Sequence, residues 1–329
     1  ATQQLAAQWI PASSNSSLSL SMKYVNSSLG FQGGQNGYLS RTINGGLNWE
    51  TLIIPTKSDV LSIDFPSNAT GYIGTGEGII KSTNFGVNWA KLPSAGLSNV
   101  KAIDFYNDKV GWVCTNNSQI GRTIDGGLNW EVKNFNNVFF SDLQFVTNKV
   151  GWAVGNDATN SIIYKTVDGG ISWSLVTVPT MVGDPVKIDF LDENNGFISM
   201  INGIVFRTTD GGQTWSSSSF FGFVYDTHFL SATLGFVATS EGLYKTADGG
   251  LTWNVIGFTG SDIYNVSFIS EQIGSIGITS GVNAFTTDGG SSWTNVSEDA
   301  FLSTNCYGVQ FTDALNGWSV GDLGMLRST

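Results

Sequence analysis

The chain has 329 residues with only 12% charged, and 41 glycines against 6 prolines; soluble domains carry ~25% charge, so a charged helical bundle and a proline-rich disordered chain are both excluded. A net charge of −11, from 26 acidic and 15 basic residues, excludes a nucleic-acid partner, because the phosphate backbone would be repelled. No apolar run approaches the ~18 residues of a membrane-spanning helix. Two cysteines, Cys114 and Cys306, and one histidine, His228, supply neither a disulfide framework nor zinc-ligand spacing. The first residues, ATQQLAAQW, lack a basic segment followed by an apolar one, and Ser, Asn, Thr and Gly are abundant throughout. This composition is read as that of a mature exported chain, secreted or at the cell surface.

In chain order, a nine-residue phrase recurs: RTINGGLNW ending at Trp49, KSTNFGVNW at Trp89, RTIDGGLNW at Trp130, KTVDGGISW at Trp173, RTTDGGQTW at Trp215, KTADGGLTW at Trp253 and FTTDGGSSW at Trp293. Successive tryptophans stand 40, 41, 43, 42, 38 and 40 positions apart, which marks a repeat architecture. Half a unit out of step, Gly precedes an aromatic at Phe31, Tyr72, Trp112, Trp152, Phe197, Phe236 and Trp318, while unit seven carries Gly274-Ser275. Short alternating runs end in Tyr24, Phe65, Phe105, Phe145, Phe190, Phe229, Phe268 and Phe311. Period-two alternation bounded by turn residues predicts strands, four to a unit and no helix. Four strands in about 40 to 45 residues is the signature of a propeller blade.

Blade number follows from the ends of the sequence. The C-terminal MLRST is a third strand without a box after it, and Trp9 stands 40 residues before Trp49, in a fourth strand without a third before it. The fold expected is therefore all-β: one propeller domain spanning 1–329, with eight blades of four antiparallel strands and seven as the alternative count. Closure is expected through pairing of Leu5 to Ile10 with Leu323 to Ser328, which removes exposed edges.

The recurring phrase resembles the Asp-box, or BNR, repeat, most closely in TTDGGQTW. Its acceptors, Asn44, Asn84, Asp125, Asp168, Asp210, Asp248 and Asp288, suit the turn amides that follow them, and the glycines allow positive φ. With Trp9 and the seven box tryptophans, these residues are assigned to folding, since one carboxylate per outer turn cannot converge on a substrate. The GW-x-VG strand followed by (I/L)Y-K/R-T-x-DGG-x-x-W is similar to the photosystem II assembly and stability factor family. That resemblance implies a non-catalytic docking propeller. Photosynthetic members resemble seven-bladed rings with an arginine-rich patch; the eight units and acidic balance here depart on both counts. Sialidases and two-propeller xyloglucan hydrolases share the box. A sialidase needs converging arginines, and the four here, Arg41, Arg122, Arg207 and Arg327, all sit beside boxes.

No residue set points to catalysis, and the function expected is binding, of a protein first and a glycan second, with a spacer module of a longer exported precursor as another option. Aromatics in blade-to-blade loops, Phe135, Phe139, Phe220, Phe221, Phe258 and Phe301, are the candidate contact residues. The residue before each inner-strand aromatic is polar, and Asp64, Asp104 and Asp189 among them form a candidate Ca²⁺ ring in the channel; the alternative is that these groups bond neighbouring backbone and water. No other cofactor is expected. The competing enzyme reading is a glycan hydrolase with Asp226 and Asp262, or Glu298 and Asp299, as acid and base.

Overall fold

A computed structural model of the chain describes residues 9–14, 19–26, 28–44, 49–157, 159–177, 183–278, 283–296, 306–311, 317–321 and 324–328. Among them there is no α-helix, only one 3-10 turn at Gln35–Gly37. Seven consecutive four-stranded antiparallel sheets follow one another, each taking its strands in chain order. Their first strands are Ser19–Tyr24, Val60–Asp64, Val100–Phe105, Phe139–Phe145, Pro185–Phe190, Val224–Phe229 and Ile263–Phe268; these are units one to seven. Each first strand lies against the first strand of the next unit, so they are the inner strands around an axis. A further sheet pairs Cys306–Phe311, Gly317–Gly321 and Gly324–Ser328 with the N-terminal strand Trp9–Ser14; Cys306–Phe311 contacts the inner strands of both units seven and one.

The register of that terminal pairing differs from expectation. Trp9 faces Ser328 and Ile10 faces Arg327, so the strand runs forward from Trp9 instead of ending near it. The physical reason is the same in the other units: the box tryptophan is the entry residue of a fourth strand, as where Glu50–Thr51 follows Trp49. Residues 1–8 lie outside the described residues, as does the Trp9 side chain.

The repeated phrases become one packing device. The aromatic after each Gly lies flat on the inner-strand aromatic of the next unit: Tyr72 on Phe105 at 3.5 Å between centroids, Trp112 on Phe145 at 3.5 Å, Trp152 on Phe190 at 3.6 Å, Phe197 on Phe229 at 3.4 Å and Phe236 on Phe268 at 3.5 Å. The box tryptophan of that next unit then meets the same inner ring edge-on, as Trp130 meets Phe105 at 6.2 Å and Trp173 meets Phe145 at 5.8 Å. Offset-stacked and edge-to-face contacts each add about 0.5–1.5 kcal/mol to the gain from burying the rings. The Gly before the aromatic is required because the inner ring of its own unit covers it: a Cβ on Gly111 would lie 2.3 Å from the Phe105 ring, and Gly71, Gly196 and Gly235 are covered in the same way. In unit seven the place of the stacking ring is taken by Ser275, which is fully buried with an unpartnered hydroxyl.

Substituting Gly111→Ala is expected to lower stability by about 1–3 kcal/mol through overpacking, read by denaturant unfolding. Gly96→Ala is a comparison site of opposite kind: its added Cβ would meet nothing within 4 Å, so its effect comes only from its positive φ. A Gly111→Ala variant as stable as wild type would contradict the packing assignment.

Candidate functional site

The Asp-boxes are closed hydrogen-bonded turns. In unit four, Thr166 Oγ1 accepts from the Asp168 and Gly170 amides and donates to Asp168 Oδ1, while Asp168 accepts from the Ser172 amide at 2.9 Å and its hydroxyl at 2.6 Å. The same bonds recur around Asp210, Asp248 and Asp288, while Asp125 accepts from the Asn129 amide and from its side-chain Nδ2. Hydrogen bonds from Ser172, Thr214, Thr252 and Ser292, side chain first and amide second, hold Asp168, Asp210, Asp248 and Asp288 down to about 2. Asn44 and Asn84 accept from Thr42 and Ser82 without the charge. Phe85 takes the position of the first box glycine at φ 60°, strained for a residue with a side chain.

Basic residues before several boxes reach the box of the next unit. Lys81 donates to the Gly126 carbonyl at 2.9 Å over the Tyr72 ring, and Lys165 to that of Gly211 at 2.6 Å over Trp152. Arg41 bonds Glu50 and the Phe85 carbonyl, and Arg122 bonds Glu131. Arg41 is thus engaged between blades and Arg122 along its own blade.

The polar ring in the channel has a structural explanation. An inner strand is the edge of its own sheet, so every second amide lacks a ladder partner and needs another. The preceding unit supplies it. Asp64 accepts from the Phe105 amide at 2.9 Å, Asp104 from Phe145 at 2.6 Å, Gln144 from Phe190 at 2.6 Å and Asp189 from Phe229 at 3.2 Å. His228 Nε2 lies 2.8 Å from the Phe268 carbonyl, which can only accept, so this nitrogen carries the proton. A second tier two residues earlier repeats the device: Ser62 holds the Ile103 amide, Asp142 that of Ile188 and Asp226 that of Val266. Lys23 pairs with Asp64 and Lys187 with Asp226. Among the described residues no three His, Cys, Asp or Glu side chains come together as a metal-ligand set; Asp64, Asp104 and Asp189 are each turned to the next unit's amide. Burial pushes Asp104 up to about 7, helped by the Asp64 charge, and pushes Asp142 up to about 6. Burial also lowers His228, with Lys187 adding to it.

The loop aromatics divide. Phe135 packs on Phe140 and Tyr164, Phe220 on Tyr244 and Trp253, and Phe258 on Trp293; these three rings extend the cores between blades instead of forming a free surface. Phe139 and Phe221 are exposed, Phe221 at 84%. Phe301 lies outside the described residues, as do Glu298 and Asp299. Cys114 is a fully buried free thiol, pushed up by burial. Sequence reasoning missed the second tier, whose signal is a polar residue three places before the inner aromatic in most units, as at Ser62, Asp142 and Asp226, and missed the paired tyrosines Tyr225 and Tyr264, 4.8 Å apart.

Residues 95–220, more than a third of the chain, match the family described as Photosynthesis system II assembly factor YCF48. The chain is a BNR-repeat propeller resembling YCF48. Over 85% of this chain and 98% of the other, it superposes on YCF48 from Cyanidioschyzon merolae with TM-score 0.65 at 18% identity. A structure of YCF48 bound to D1 peptide matches all of this chain and 98% of that one, with TM-score 0.64 and 18% identity. The GH74 enzyme of Niastella koreensis matches 92% of this chain and 62% of its own length, with TM-score 0.61 and 15% identity. No curated protein sequence matches.

The bond from the Phe145 amide to Asp104 has a pH signature. A carboxyl whose pKa is raised on folding contributes stability below its unfolded value near 4, and that contribution is lost as pH rises through the folded value. For Asp104 the window runs from about 4 to about 7. Asp104→Asn keeps the acceptor, as Gln144 does naturally at this position, and removes the titration. Denaturant unfolding is expected to show the variant gaining on wild type by about 3 kcal/mol between pH 4.5 and 8. A difference that does not change with pH would contradict the buried position of this carboxyl.

Proposed function

We propose that this chain is a closed eight-bladed ring, one domain over 1–329, acting as a non-catalytic binding module, with a protein as partner in first place and a glycan in second, at the cell surface or secreted. The ring count is supported by the sheet that joins Trp9–Ser14 to Gly324–Ser328 and by the position of Cys306–Phe311 between units seven and one. The binding reading is carried by one observation: from unit two to unit six, the polar side chain before each inner aromatic bonds the backbone of the next unit. Carboxylates held in this way position strands and are not free for acid–base work. Asp226, the first half of the candidate hydrolytic pair, already receives Lys187 on one oxygen and the Val266 amide on the other. The YCF48 structure with a D1 peptide supports a peptide or protein as the ligand class. Abundant Ser, Thr, Asn and Gly with few charges support the extracellular setting.

A hydrolysis screen on xyloglucan and related β-glucans tests the non-catalytic half. No product release above that of the Asp226→Asn/Asp262→Asn variant is expected, and turnover abolished by either single substitution would overturn the reading. Surface labelling of intact cells followed by cross-linking tests the setting: labelled chain cross-linked to a protein is expected, and unlabelled chain confined to the cell interior would contradict it.

A further inference from the structure

At the outer circumference the fourth strand of one blade runs beside the box of the next, and side chains bridge the gap. From the strand Glu131–Asn134 of unit three, Lys133 Nζ donates to the Ile171 carbonyl in the box of unit four at 3.5 Å. From Ser216–Ser219 of unit five, Ser218 Oγ donates to the Gly250 carbonyl in the box of unit six at 2.9 Å. Both residues stand third in their strand. From the third strands, Lys81 and Lys165 reach the box carbonyls of Gly126 and Gly211 at 2.9 and 2.6 Å.

The boundary between units six and seven departs from this arrangement at three points. Of the fourth strands of units one to seven, only Asn254–Gly257 skips a residue in its ladder: Leu243 faces Gly257 while Tyr244 faces Val255, which leaves Ile256 as a bulge. The Ile256 carbonyl accepts from the Trp293 indole at 3.0 Å, where Trp89 and Trp215 bond glycines of their own boxes, and no side chain of Asn254–Gly257 bonds the next box. The box position after the two glycines, held by Leu128, Ile171, Gln213 and Leu251 in units three to six, is Ser291, whose hydroxyl turns back to the Asp288 carbonyl at 3.1 Å. Lys245 lies 3.5 Å from the Gly289 carbonyl, a looser hold than those of Lys81 and Lys165, and 3.8 Å from Glu271 Oε1. The result is an open cleft of about 540 Å³, whose lining includes Lys245, Glu271, Asn254, Val255, Ile256 and Ser291.

We propose that this cleft binds a hexose unit of a neutral glycan. Its volume lies within the ~300–1,000 Å³ of small-molecule sites. Lys245, which only donates, and Glu271, which only accepts, stand side by side in its wall. A free carboxylate would be repelled by Glu271 and a free amine by Lys245, whereas adjacent ring hydroxyls, each both donor and acceptor, satisfy the two together. The exposed Asn254 amide adds a further donor and acceptor. Val255, 48% exposed, and the bulged Ile256 offer aliphatic surface to the C–H face of a sugar ring. This inference rests on the glycan part of the binding reading above, to which it adds a site and a sugar class, and it is independent of the protein part.

Isothermal titration with cellohexaose, mannohexaose and a xyloglucan heptasaccharide tests it, with hexagalacturonate and deacetylated chitohexaose as charged counterparts. Saturable binding of at least one neutral oligosaccharide, and of neither charged one, is expected. Lys245→Met is expected to weaken that binding about tenfold and Glu271→Gln about threefold. Lys245→Arg, which installs the residue found at this position as Arg122 and Arg207, is expected to retain it. Ser291→Leu, which installs the residue that stands there as Leu128 and Leu251, is expected to narrow the cleft and weaken binding without unfolding the box. Thermal melts of each variant separate loss of binding from loss of folding. Neutral-oligosaccharide binding equal in wild type, Lys245→Met and Ser291→Leu would overturn the site while leaving glycan binding standing. Preference for a charged oligosaccharide would overturn the assigned chemistry. No binding of any neutral oligosaccharide would overturn the site and the glycan part of the reading together, with the protein part untouched.

Discussion

The flat contact between the ring at the end of one inner strand and the ring after the glycine of the preceding unit is what the other features of this molecule accommodate. Sheets stacked around an axis bury two faces each, and an aromatic pair at van der Waals distance fixes how closely adjacent faces approach. The glycine exists because the inner ring lies on its Cα, and the box tryptophan closes the same ring from the side. The residue types in the three recurring phrases are consequences of one geometry. Where the stacking ring is missing, at Ser275, a buried hydroxyl without a partner marks the exception.

The second constraint is the free edge of each inner strand. Each blade keeps one such edge facing the axis, and here the amides of successive inner strands are held by side chains of the preceding unit at two heights. The chemistry of the acceptor is interchangeable, carboxylate at Asp64, Asp104 and Asp189 and amide at Gln144, because only an oxygen at the right distance is required. A channel lined with acids can therefore be a structural feature without being a catalytic or metal centre. The outer turns follow the same logic, with carboxylates satisfied within their own turn and basic residues bridging to the next.

Period, strand order and the flat all-β architecture were legible in the amino-acid sequence because each unit repeats the same contacts, and repetition exposes which residue types the contacts demand. The polar position before the inner aromatic was visible for the same reason, but its role was not, since an acid aimed at a metal and an acid aimed at a neighbouring amide have the same periodicity. Phe135, Phe220 and Phe258 looked like free loop aromatics because they lack a repeat partner, yet each fills a gap beside a local aromatic from another strand. Tyr225 and Tyr264 went unnoticed because a bulge residue lies outside the alternation by which strands are recognised.

A double-mutant cycle across one boundary, Trp112→Leu and Phe145→Leu singly and together, measures the stacked pair directly. The account predicts a coupling energy of about 1–2 kcal/mol, with the double variant less destabilised than the sum of the singles. Strict additivity would mean the two rings are held independently by their own sheets, and the stacked contact would no longer explain why the repeat takes the form it does.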